Sequence, residues 1–500
     1  MDYILILISI FLVYRMYDSV YKLQLNGYHK GDYFKWILKT FEKYNEVILY
    51  LTLPFLMFSN YLLVQVMIAL YLVYIFISKK RSRRMLRLTP RIGRLLVVNL
   101  IVTLILILTL TYFKVSLFNT LYLCAVFNYI ITFTSNLVLT PFEKHVHMKY
   151  RSDAVNKLNK IDVDVIGVTG SYGKTTTKEF IYTMLCNYYK VRKTPKSFNT
   201  PMGVCRVIND NLRSSDEVFV VEMGAKRIGE IQKVCNIVNP KYGVLTWIGN
   251  QHLETFESIE NIVKTKFELI ESLPEDGIGF INTDCKRVKE YKIKNKCKIV
   301  TFGIENAEYT ARNIVYTDQG MKLDIYHHEE LFISLNTKIV GKYNMYNLLS
   351  AVVISKELGL TANQVQVMAL ALTTVKNRLE LKRNGRLTII DDTYNSNPLG
   401  FEMALDVLEK MDGDKYLITP GMVELGKESE AEHKNLAKLI DETCDVIILT
   451  SENAKYLGKY LTSNNLFAVE TISEAMKLFN RIYDGKRATL LLENDLPDNY

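Results

Sequence analysis

The chain has 500 residues, too many for one ordinary hydrophobic core, so its length predicts two to four domains. Hydrophobic residues make up 49% of the sequence, and the formal net charge is +9. The basic residues cluster beside apolar runs, as at 79–84, which favours anionic lipid headgroups over nucleic acid as their partner. The seven cysteines form no CxxC pair and have no metal-ligand spacing, so reduced thiols are expected.

Residues 1–145 contain nearly all the long apolar runs and predict a helical transmembrane region of four to five helices. The clearest spans are 95–113 and 117–139, each about the ~20 residues that a bilayer requires. Only three residues separate these two spans, so we expect them to form a helical hairpin.

Two further apolar runs precede this hairpin. The run 47–78 is interrupted at Pro54, which favours two short spans over one span with a re-entrant segment. The run 3–22 predicts a weaker first span that ends near Arg15 and Asp18. The basic loop 79–94 should face the cytosol by the positive-inside rule, which leaves everything after the hairpin on the cytosolic side.

After residue 150 the sequence alternates between strand-like and helix-like segments, and the first of these carries a glycine-rich turn. Residues 163–168 predict a buried parallel strand, and a helical pattern after the turn continues through Leu185. Such a turn lets backbone N–H groups converge on phosphate oxygens at a helix N-terminus. Lys174 would then neutralise the β- and γ-phosphates, and the Thr175 hydroxyl would hold Mg²⁺. The nucleotide-binding residues predicted in this turn are Gly170, Ser171, Gly173, Lys174, Thr175 and Thr176.

The turn departs from the general phosphate-loop pattern, because Val168 stands where the first glycine is expected. A chance Gly-Lys-Thr turn is therefore the alternative. Glu222 ends another apolar run, so its carboxylate should lie at the strand tip where open α/β sheets bind ligands. There it would be a suitable oxygen ligand for Mg²⁺, unless it only caps a helix. His252 follows the run 243–248 and occupies the equivalent tip of another strand.

The turn sequence GVTGSYGKTTT resembles that of the Mur ligases, the ATP-dependent amide ligases of bacterial cell-wall synthesis. Further stretches resemble the same family in the same order, and the resemblance covers roughly residues 150–440. It is closest to the branch that adds D-alanyl-D-alanine to UDP-N-acetylmuramoyl-tripeptide. These stretches are residues 222–225, 229–231, 246–254, 341–347, 378–380 and 391–398.

The resemblance implies roles for three residues near the reacting groups. His252 helps to hold a second Mg²⁺, although alone it would equally suit a surface histidine. Lys266, on the predicted helix 259–273, matches a lysine that is carbamylated in the family and is preferred here to Lys264. Asn199 matches a loop that contacts the reacting groups; its alternative is a plain turn.

The resemblance also implies that the C-terminal domain closes over the nucleotide. Asn347 resembles the adenine contact, and Arg378 resembles the residue that reaches ribose and phosphate; a surface ion pair with Glu380 is its alternative. Asp392 suits the ribose hydroxyls, because a carboxylate accepts two hydrogen bonds from a diol.

The expected fold is α/β. A central ATP-binding domain with a phosphate loop and a parallel sheet is predicted at 150–338, and a Rossmann-like C-terminal domain at 340–500. The transmembrane region at 1–145 stands where the family has a soluble domain that holds the UDP-linked sugar.

The implied function is an ATP- and Mg²⁺-dependent ligase of peptidoglycan or related cell-envelope biosynthesis. Through an acyl phosphate it would join a glycan-peptide or other acidic precursor to an amino acid or dipeptide. The membrane segments predict a multi-pass protein of the bacterial cell membrane, with cytoplasmic catalytic domains and a membrane-associated acceptor. Two departures from the family are Tyr343, where histidine is common, and the tail 491–498, which lacks the Lys-Gly-Ser ending of the D-alanyl-D-alanine branch.

Three alternatives remain from other classes. A catalytically inactive nucleotide-binding membrane module would keep the fold without the chemistry. An ATP-driven transporter would need a second nucleotide-site signature and more spans. A ligase like folylpolyglutamate synthase shares the core chemistry, but its soluble substrate gives no reason for membrane spans.

Overall fold

The computed structural model describes residues 2–41, 86–196, 198–251, 253–317, 319–394, 398–422, 429–450 and 454–494, with scattered positions between 49 and 73. It divides into two compact units. The first unit is formed by residues up to Lys149, and the second begins at Tyr150.

The first unit is helical throughout its described part. One described helix, α3, is long and apolar enough to cross a membrane. Its 23 residues rise about 34 Å at ~1.5 Å per residue, against a hydrocarbon core of ~30 Å. A side-chain cap from Thr89 and proline at the first turn begin it. The described helices from the chain start are α1 Asp2–Leu25, α2 Lys30–Phe41, α3 Pro90–Tyr112, α4 Leu117–Val126 and α5 Asn128–Leu158.

The span expected at 117–139 is divided between two helices in the structure. Helices α4 and α5 meet at Phe127 with a bend of 71°. They count as a second candidate span only if the bent pair crosses the membrane as a single segment. The fully buried guanidinium of Arg15 donates to the carbonyls of Ala125 (3.1 Å) and Val126 (3.2 Å) at the end of α4. It thus adds hydrogen bonds to carbonyls of the last helical turn, where the regular helical pattern ends and the chain changes direction.

Arg15 also lies inside the first helix rather than at its end, because α1 continues to Leu25. The guanidinium is over the ring of Tyr129 (4.2 Å to the centroid) and donates to its hydroxyl as well. Most of the stretch 47–78, where two spans were expected, and residues 79–85 of the basic loop lie outside the described residues.

The second unit contains two sheets, and the larger has the strand order β2-β3-β1-β4-β5-β6-β7-β8-β9. Its pairs from β2 to β7 are parallel, and β7, β8 and β9 form an antiparallel meander. Parallel strands covered on both faces are mainly apolar, as in β3, which is fully buried and polar only at its last residue, Glu222. The strands are β1 Asp164–Thr169, β2 Val191–Lys193, β3 Val218–Glu222, β4 Tyr242–Leu245, β5 Ile278–Asn282, β6 Lys298–Gly303, β7 Tyr309–Thr317, β8 Gly320–His327 and β9 Glu330–Thr337.

Helices cover both faces of this sheet. On one face, Ile166 and Val168 of β1 share a core with Phe180 and Leu348, which come from α6 and α12. On the other face lie helices α7, α8 and α10. The helices of this part are α6 Lys174–Leu185, α7 Pro201–Asn211, α8 Glu230–Val238, α9 Leu253–Phe256, α10 Ile259–Glu271, α11 Lys286–Lys289, α12 Lys342–Glu357 and α13 Ala362–Leu370.

The smaller sheet has the order β10-β11-β15-β12-β13-β14 and is parallel except for the β10–β11 pair. With the larger sheet it confirms the expected α/β fold. The remaining strands are β10 Glu380–Asn384, β11 Leu387–Asp392, β12 Asp414–Thr419, β13 Val446–Thr450, β14 Leu466–Val469 and β15 Ala488–Glu493. The remaining helices are α14 Pro398–Glu409, α15 Ser429–Thr443, α16 Ala454–Gly458 and α17 Ile472–Ile482.

The boundary expected near residue 340 differs from the packing. Leu348 of α12 and Met368 of α13 lie in the same hydrophobic core as β1 and α6. These two helices therefore pack with the central sheet, although the sequence around 341–347 was taken as the start of the C-terminal domain. A separate core, which includes Leu405 and Leu491, begins with the second sheet.

Candidate functional site

The glycine-rich turn lies where β1 ends and α6 begins. Gly170 has φ +151°, and a Cβ there would come within 2.0 Å of the Thr246 hydroxyl oxygen. Gly173 has φ +79° and precedes the first residue of α6. Both positions therefore need glycine. At Gly170 the residue after β4 lies too close for a side chain, and at Gly173 the backbone is left-handed as well.

Residues that follow β4 hold the turn in place. The N–H groups of Ser171 and Tyr172 donate to the carbonyl of Trp247 at 2.7 and 3.3 Å. The Ser171 hydroxyl donates to the carbonyl of Gly249 at 3.0 Å. Sequence reasoning assigned no role to Trp247, because a supporting contact through a backbone carbonyl leaves no side-chain signature.

Lys174 folds back over the turn. Its ammonium donates to the carbonyl oxygens of Gly170 (2.8 Å) and Ser171 (2.9 Å). Burial lowers the pKa of Lys174 to about 8, opposed by the nearby carboxylate of Glu222. The ammonium form still prevails at neutral pH, so the turn carries a positive charge in a place shielded from water.

The buried carboxylate of Glu222 lies at the tip of β3 and collects donors from separate segments. The Thr175 hydroxyl donates to its Oε2 atom at 3.0 Å, and the side-chain amide of Asn199 donates to its Oε1 atom at 3.0 Å. The alternative reading of Glu222 as a helix cap receives no support from these contacts. The alternative that Asn199 only forms a turn does not account for the hydrogen bond from its side chain to the same carboxylate.

Sequence reasoning missed Lys178, a fully buried lysine in the same cluster. Its ammonium donates to Glu222 Oε2 at 3.2 Å and to the carbonyl of Lys196 at 2.6 Å. A signal was available, because Lys178 lies four residues after Lys174 and so on the same face of α6.

The donor set at Glu222 fits a magnesium ion. The Glu222 carboxylate and the Thr175 hydroxyl are hard oxygen ligands of the kind that Mg²⁺ prefers, and they are already in contact. The ammonium of Lys178 beside the same carboxylate shows that this position accepts a positive charge. His252, the third expected metal ligand, lies outside the described residues.

The two lysines that the sequence left as alternatives on α10 differ in burial. Lys264 is exposed, whereas Lys266 is buried. Burial and the positive charge of Lys174 lower the pKa of Lys266 well below its ordinary value. This favours the uncharged amine, the form that could react with carbon dioxide. Carbamylation itself stays a prediction.

Asn347 of α12 faces the turn directly. Its amide oxygen accepts from the Thr177 hydroxyl at 3.1 Å, and its amide nitrogen donates to Asn344 at 3.0 Å. Both polar atoms thus have partners within the protein, and the adenine contact stays a prediction. Thr176, also expected in the nucleotide site, is buried, and Tyr343 lies edge-on to Trp247 with ring centroids 5.3 Å apart.

The second sheet contributes Arg378 and Asp392. Two left-handed residues, Asn377 (φ +59°) and Leu379 (φ +48°), flank Arg378, whose guanidinium lies 4.1 Å from the ring centre of Tyr394. The N–H of Leu379 donates to Asp392 Oδ1 at 3.1 Å.

Charge ties this edge of the second sheet to the turn. Burial raises the pKa of Asp392 to about 6, while the charge of Arg378 opposes that rise. The same charge contributes to the lowered pKa of Lys174. The ion pair of Glu380 is with Lys382 (3.4 Å), so the contacts do not favour the alternative Arg378–Glu380 pair.

Gly173→Ala should weaken nucleotide binding, because a Cβ there would lie 2.3 Å from the Asn347 amide oxygen. Gly485→Ala is the matched control, since Gly485 has the same φ of +79° but no atom within 4 Å of the added Cβ. Both variants take on left-handed strain of about 1–2 kcal/mol. Calorimetric titration with Mg-ADP should show affinity at least about tenfold lower, or ~1.4 kcal/mol, for Gly173→Ala alone. Equal affinities in the two variants would contradict this account of the turn.

Lys178→Met should lower the free energy of unfolding by about 3–5 kcal/mol, because it leaves the buried carboxylate of Glu222 without its cation. Lys193→Met is the control: Lys193 pairs with Glu179 in a partly exposed ion pair, for which a loss of ~0–1 kcal/mol is expected. Denaturant unfolding followed by tryptophan fluorescence measures both. The double variant Lys178→Met/Glu222→Gln should recover much of the loss. A Lys178→Met variant as stable as the control would show that the pair does not neutralise the site.

Comparison with known proteins agrees with this geometry. Residues 168–355 match the Mur ligase middle domain, and residues 377–491 match the Mur ligase glutamate ligase domain. UDP-N-acetylmuramoyl-tripeptide–D-alanyl-D-alanine ligase of Bacillus subtilis is 32% identical over 289 residues, which are 57% of this chain and 61% of that protein. The chain thus spans about three fifths of the length of the curated relatives it matches.

Solved structures show the same relationship. The MurF ligase from Thermotoga maritima in complex with ADP aligns with a TM-score of 0.63 at 26% identity, covering 71% of this chain and 81% of that one. Folylpolyglutamate synthase of Mycobacterium tuberculosis shares the fold, with a TM-score of 0.55 at 13% identity over 69% of this chain and 92% of that one. The two family models together match more than half of the chain, in the order and over the sheets described above. The chain therefore belongs to the Mur ligase family.

Proposed function

We propose that the chain is an ATP- and Mg²⁺-dependent ligase that forms an amide bond between an acidic cell-envelope precursor and an amino acid or dipeptide. The observation that carries this proposal is the convergence of Thr175, Asn199 and Lys178 on the buried carboxylate of Glu222, beside the turn that holds Lys174. The D-alanyl-D-alanine-adding relatives and the ADP-bound MurF ligase support peptidoglycan-type chemistry.

The reaction proceeds in two steps. A carboxylate oxygen of the precursor attacks the γ-phosphorus of ATP, an O–P bond forms, and ADP leaves. The amine nitrogen then attacks the acyl carbon, the C–N bond forms, phosphate departs, and the nitrogen loses a proton. The first step brings two anions together, so it requires positive charge at the site.

The residues of this chain supply that charge and hold its geometry. The ammonium group of Lys174 lies over the turn, and the N–H groups at the N-terminus of α6 point to the same place. Asn199 and Lys178 fix the two oxygens of Glu222. Glu222 and Thr175 would hold Mg²⁺, which neutralises phosphate charge when it is bound. Lys266 and His252 are retained as proposed catalytic residues.

The site geometry disfavours a catalytically inactive module. An inactive descendant has no reason to keep a lysine over the turn together with a neutralised carboxylate and a hydroxyl in contact with it. Among the described residues we find one such phosphate-binding turn, which gives no support to a transporter with paired nucleotide sites.

We further propose that residues 1–145 anchor the enzyme in the bacterial cell membrane, with the ligase domains on the cytoplasmic side and a membrane-associated acceptor. Support comes from α3, which exposes Leu100, Leu104 and Leu108 along its length. A lipid-facing helix exposes apolar side chains in this way. An acceptor carried in the bilayer would explain why the matches to the family lie within 168–491.

Lys174→Ala should abolish ligation and cause the acidic precursor, lacking one amino acid or dipeptide, to accumulate in cells. Lys160→Ala, which removes an exposed lysine before β1, is the control and should leave the precursors unchanged. Mass spectrometry of envelope precursors, with both variants at equal abundance, identifies the acid. A lipid-linked acid supports the membrane acceptor, whereas a soluble UDP-linked acid contradicts it. No accumulation in Lys174→Ala would contradict the ligase itself.

Leu104→Arg with Leu108→Arg should release α3 from the bilayer, because each arginine costs about 2.5–3.5 kcal/mol near the centre of a span. Val367→Arg, at an equally exposed apolar position on α13, is the control and should leave membrane association intact. Alkaline extraction of cell membranes followed by immunoblotting measures the fraction retained. Equal retention of both variants, at equal abundance, would show that the membrane anchoring by residues 1–145 does not depend on α3.

A further inference from the structure

Three metal-binding side chains lie together on the antiparallel meander. The donor atoms of Glu308, His327 and His328 are all within 4.8 Å of one another. Glu308 directly precedes β7, His327 ends β8, and His328 begins the turn to β9. The cluster is separate from the turn at Gly173, and the ligase chemistry makes no use of it.

The fold places two consecutive histidines on one side of the chain, although consecutive strand residues normally face opposite ways. His327 pairs with Glu330, so the hairpin loop has two residues, His328 and Glu329. His328 has φ +54°, a left-handed conformation that such loops usually give to asparagine or glycine. The imidazole rings of His327 and His328 consequently lie 4.6 Å apart between centroids.

The other contacts of the cluster hold its members in place. His327 Nε2 is 3.1 Å from Glu308 Oε1, and the His327 ring stacks on Tyr309 at 4.4 Å. The backbone of Glu308 is fixed on both sides: its N–H donates to the Thr301 hydroxyl at 2.8 Å, and its carbonyl accepts from the His328 N–H at 2.7 Å. The side chains of Glu308 and His327 are thus half-buried and held in position, whereas the exposed ring of His328 can adjust to a metal ion.

We propose that Glu308, His327 and His328 bind a divalent transition-metal ion of the Zn²⁺ class. Two imidazoles and one carboxylate are a typical ligand set for Zn²⁺, whereas Mg²⁺ prefers oxygen alone. Three protein ligands leave one tetrahedral position for water or a small anion. A cavity of about 560 Å³, lined in part by His328, Thr310 and Arg312, offers room for that fourth ligand.

Metal binding here would join the start of β7 to the turn between β8 and β9. The meander continues through β9 towards α12, which carries Asn347. Because the ion would bind the folded hairpin, its binding free energy would stabilise this part of the chain. We therefore expect the ion to stabilise the meander and to be distinct from the Mg²⁺ of the ligase site.

The test is a titration of the full-length, metal-stripped chain in detergent with Zn²⁺, in competition with a chromophoric chelator. The double variant Lys178→Met/Glu222→Gln serves as the background, so that Zn²⁺ at the nucleotide site does not contribute and no member of the buried pair is left alone. One equivalent should bind. His328→Asn, which tolerates the left-handed turn, and Glu308→Gln should each weaken binding by at least the roughly 10–100-fold that loss of an outer-shell partner costs. Glu329→Gln, in the same turn but paired with Arg312, is the control and should bind normally.

Hydrogen exchange provides a second readout that does not depend on ligase activity. Zn²⁺ should slow exchange in β7 and β8 of the background chain and of the Glu329→Gln control, and not of His328→Asn or Glu308→Gln. Unchanged affinity in both ligand variants would overturn the proposal, as would binding that disappears in the Lys178→Met/Glu222→Gln background. The absence of any stoichiometric Zn²⁺ binding would reduce the cluster to a hydrogen-bonded His–Glu pair.

Discussion

The candidate site depends on one buried charge, the carboxylate of Glu222 at the tip of β3. A carboxylate without partners would be too costly to bury, so the surrounding chain must bring donors to it. Thr175 and Lys178 come from α6, and Asn199 comes from the loop before α7. These contacts fix the start of the phosphate-binding helix against the end of a neighbouring strand. The turn between β1 and α6 is thereby held next to the tip of β3.

Local sequence patterns were enough to predict the parts of the site that short segments determine. The apolar run before Gly170 predicted β1, the glycines predicted the turn, and the position of Glu222 after a buried run placed it at a strand tip. The pairing of Lys178 with Glu222 was not predictable in this way, because it joins residues 44 positions apart. The bend at Phe127 was also not predictable from local patterns, because the Arg15 guanidinium there binds a carbonyl 110 positions further along the chain.

Backbone conformation also limited what the sequence could reveal. Glycine signals a left-handed position, and Gly173 was read correctly as part of the turn. Asn377, Leu379 and His328 adopt positive φ without that signal. The first two hold Arg378 between them, and the third brings two imidazoles together. The helix α12 shows a related limit: it resembles the start of a domain in sequence, but its apolar side chains fit the central core.

The distribution of charge around Glu222 bears on how substrates enter the site. The fully buried ammonium of Lys178 contacts both Glu222 and Glu179, and the half-buried Lys174 lies over the adjoining turn. A magnesium ion arriving alone would be repelled by these ammonium groups in a region of low dielectric, where such repulsion is strong. A nucleotide brings several negative charges, which the lysines can balance when it carries the ion with it. The cations that neutralise Glu222 therefore allow the site to fold without metal, and we expect Mg²⁺ to enter together with the nucleotide rather than as the bare ion.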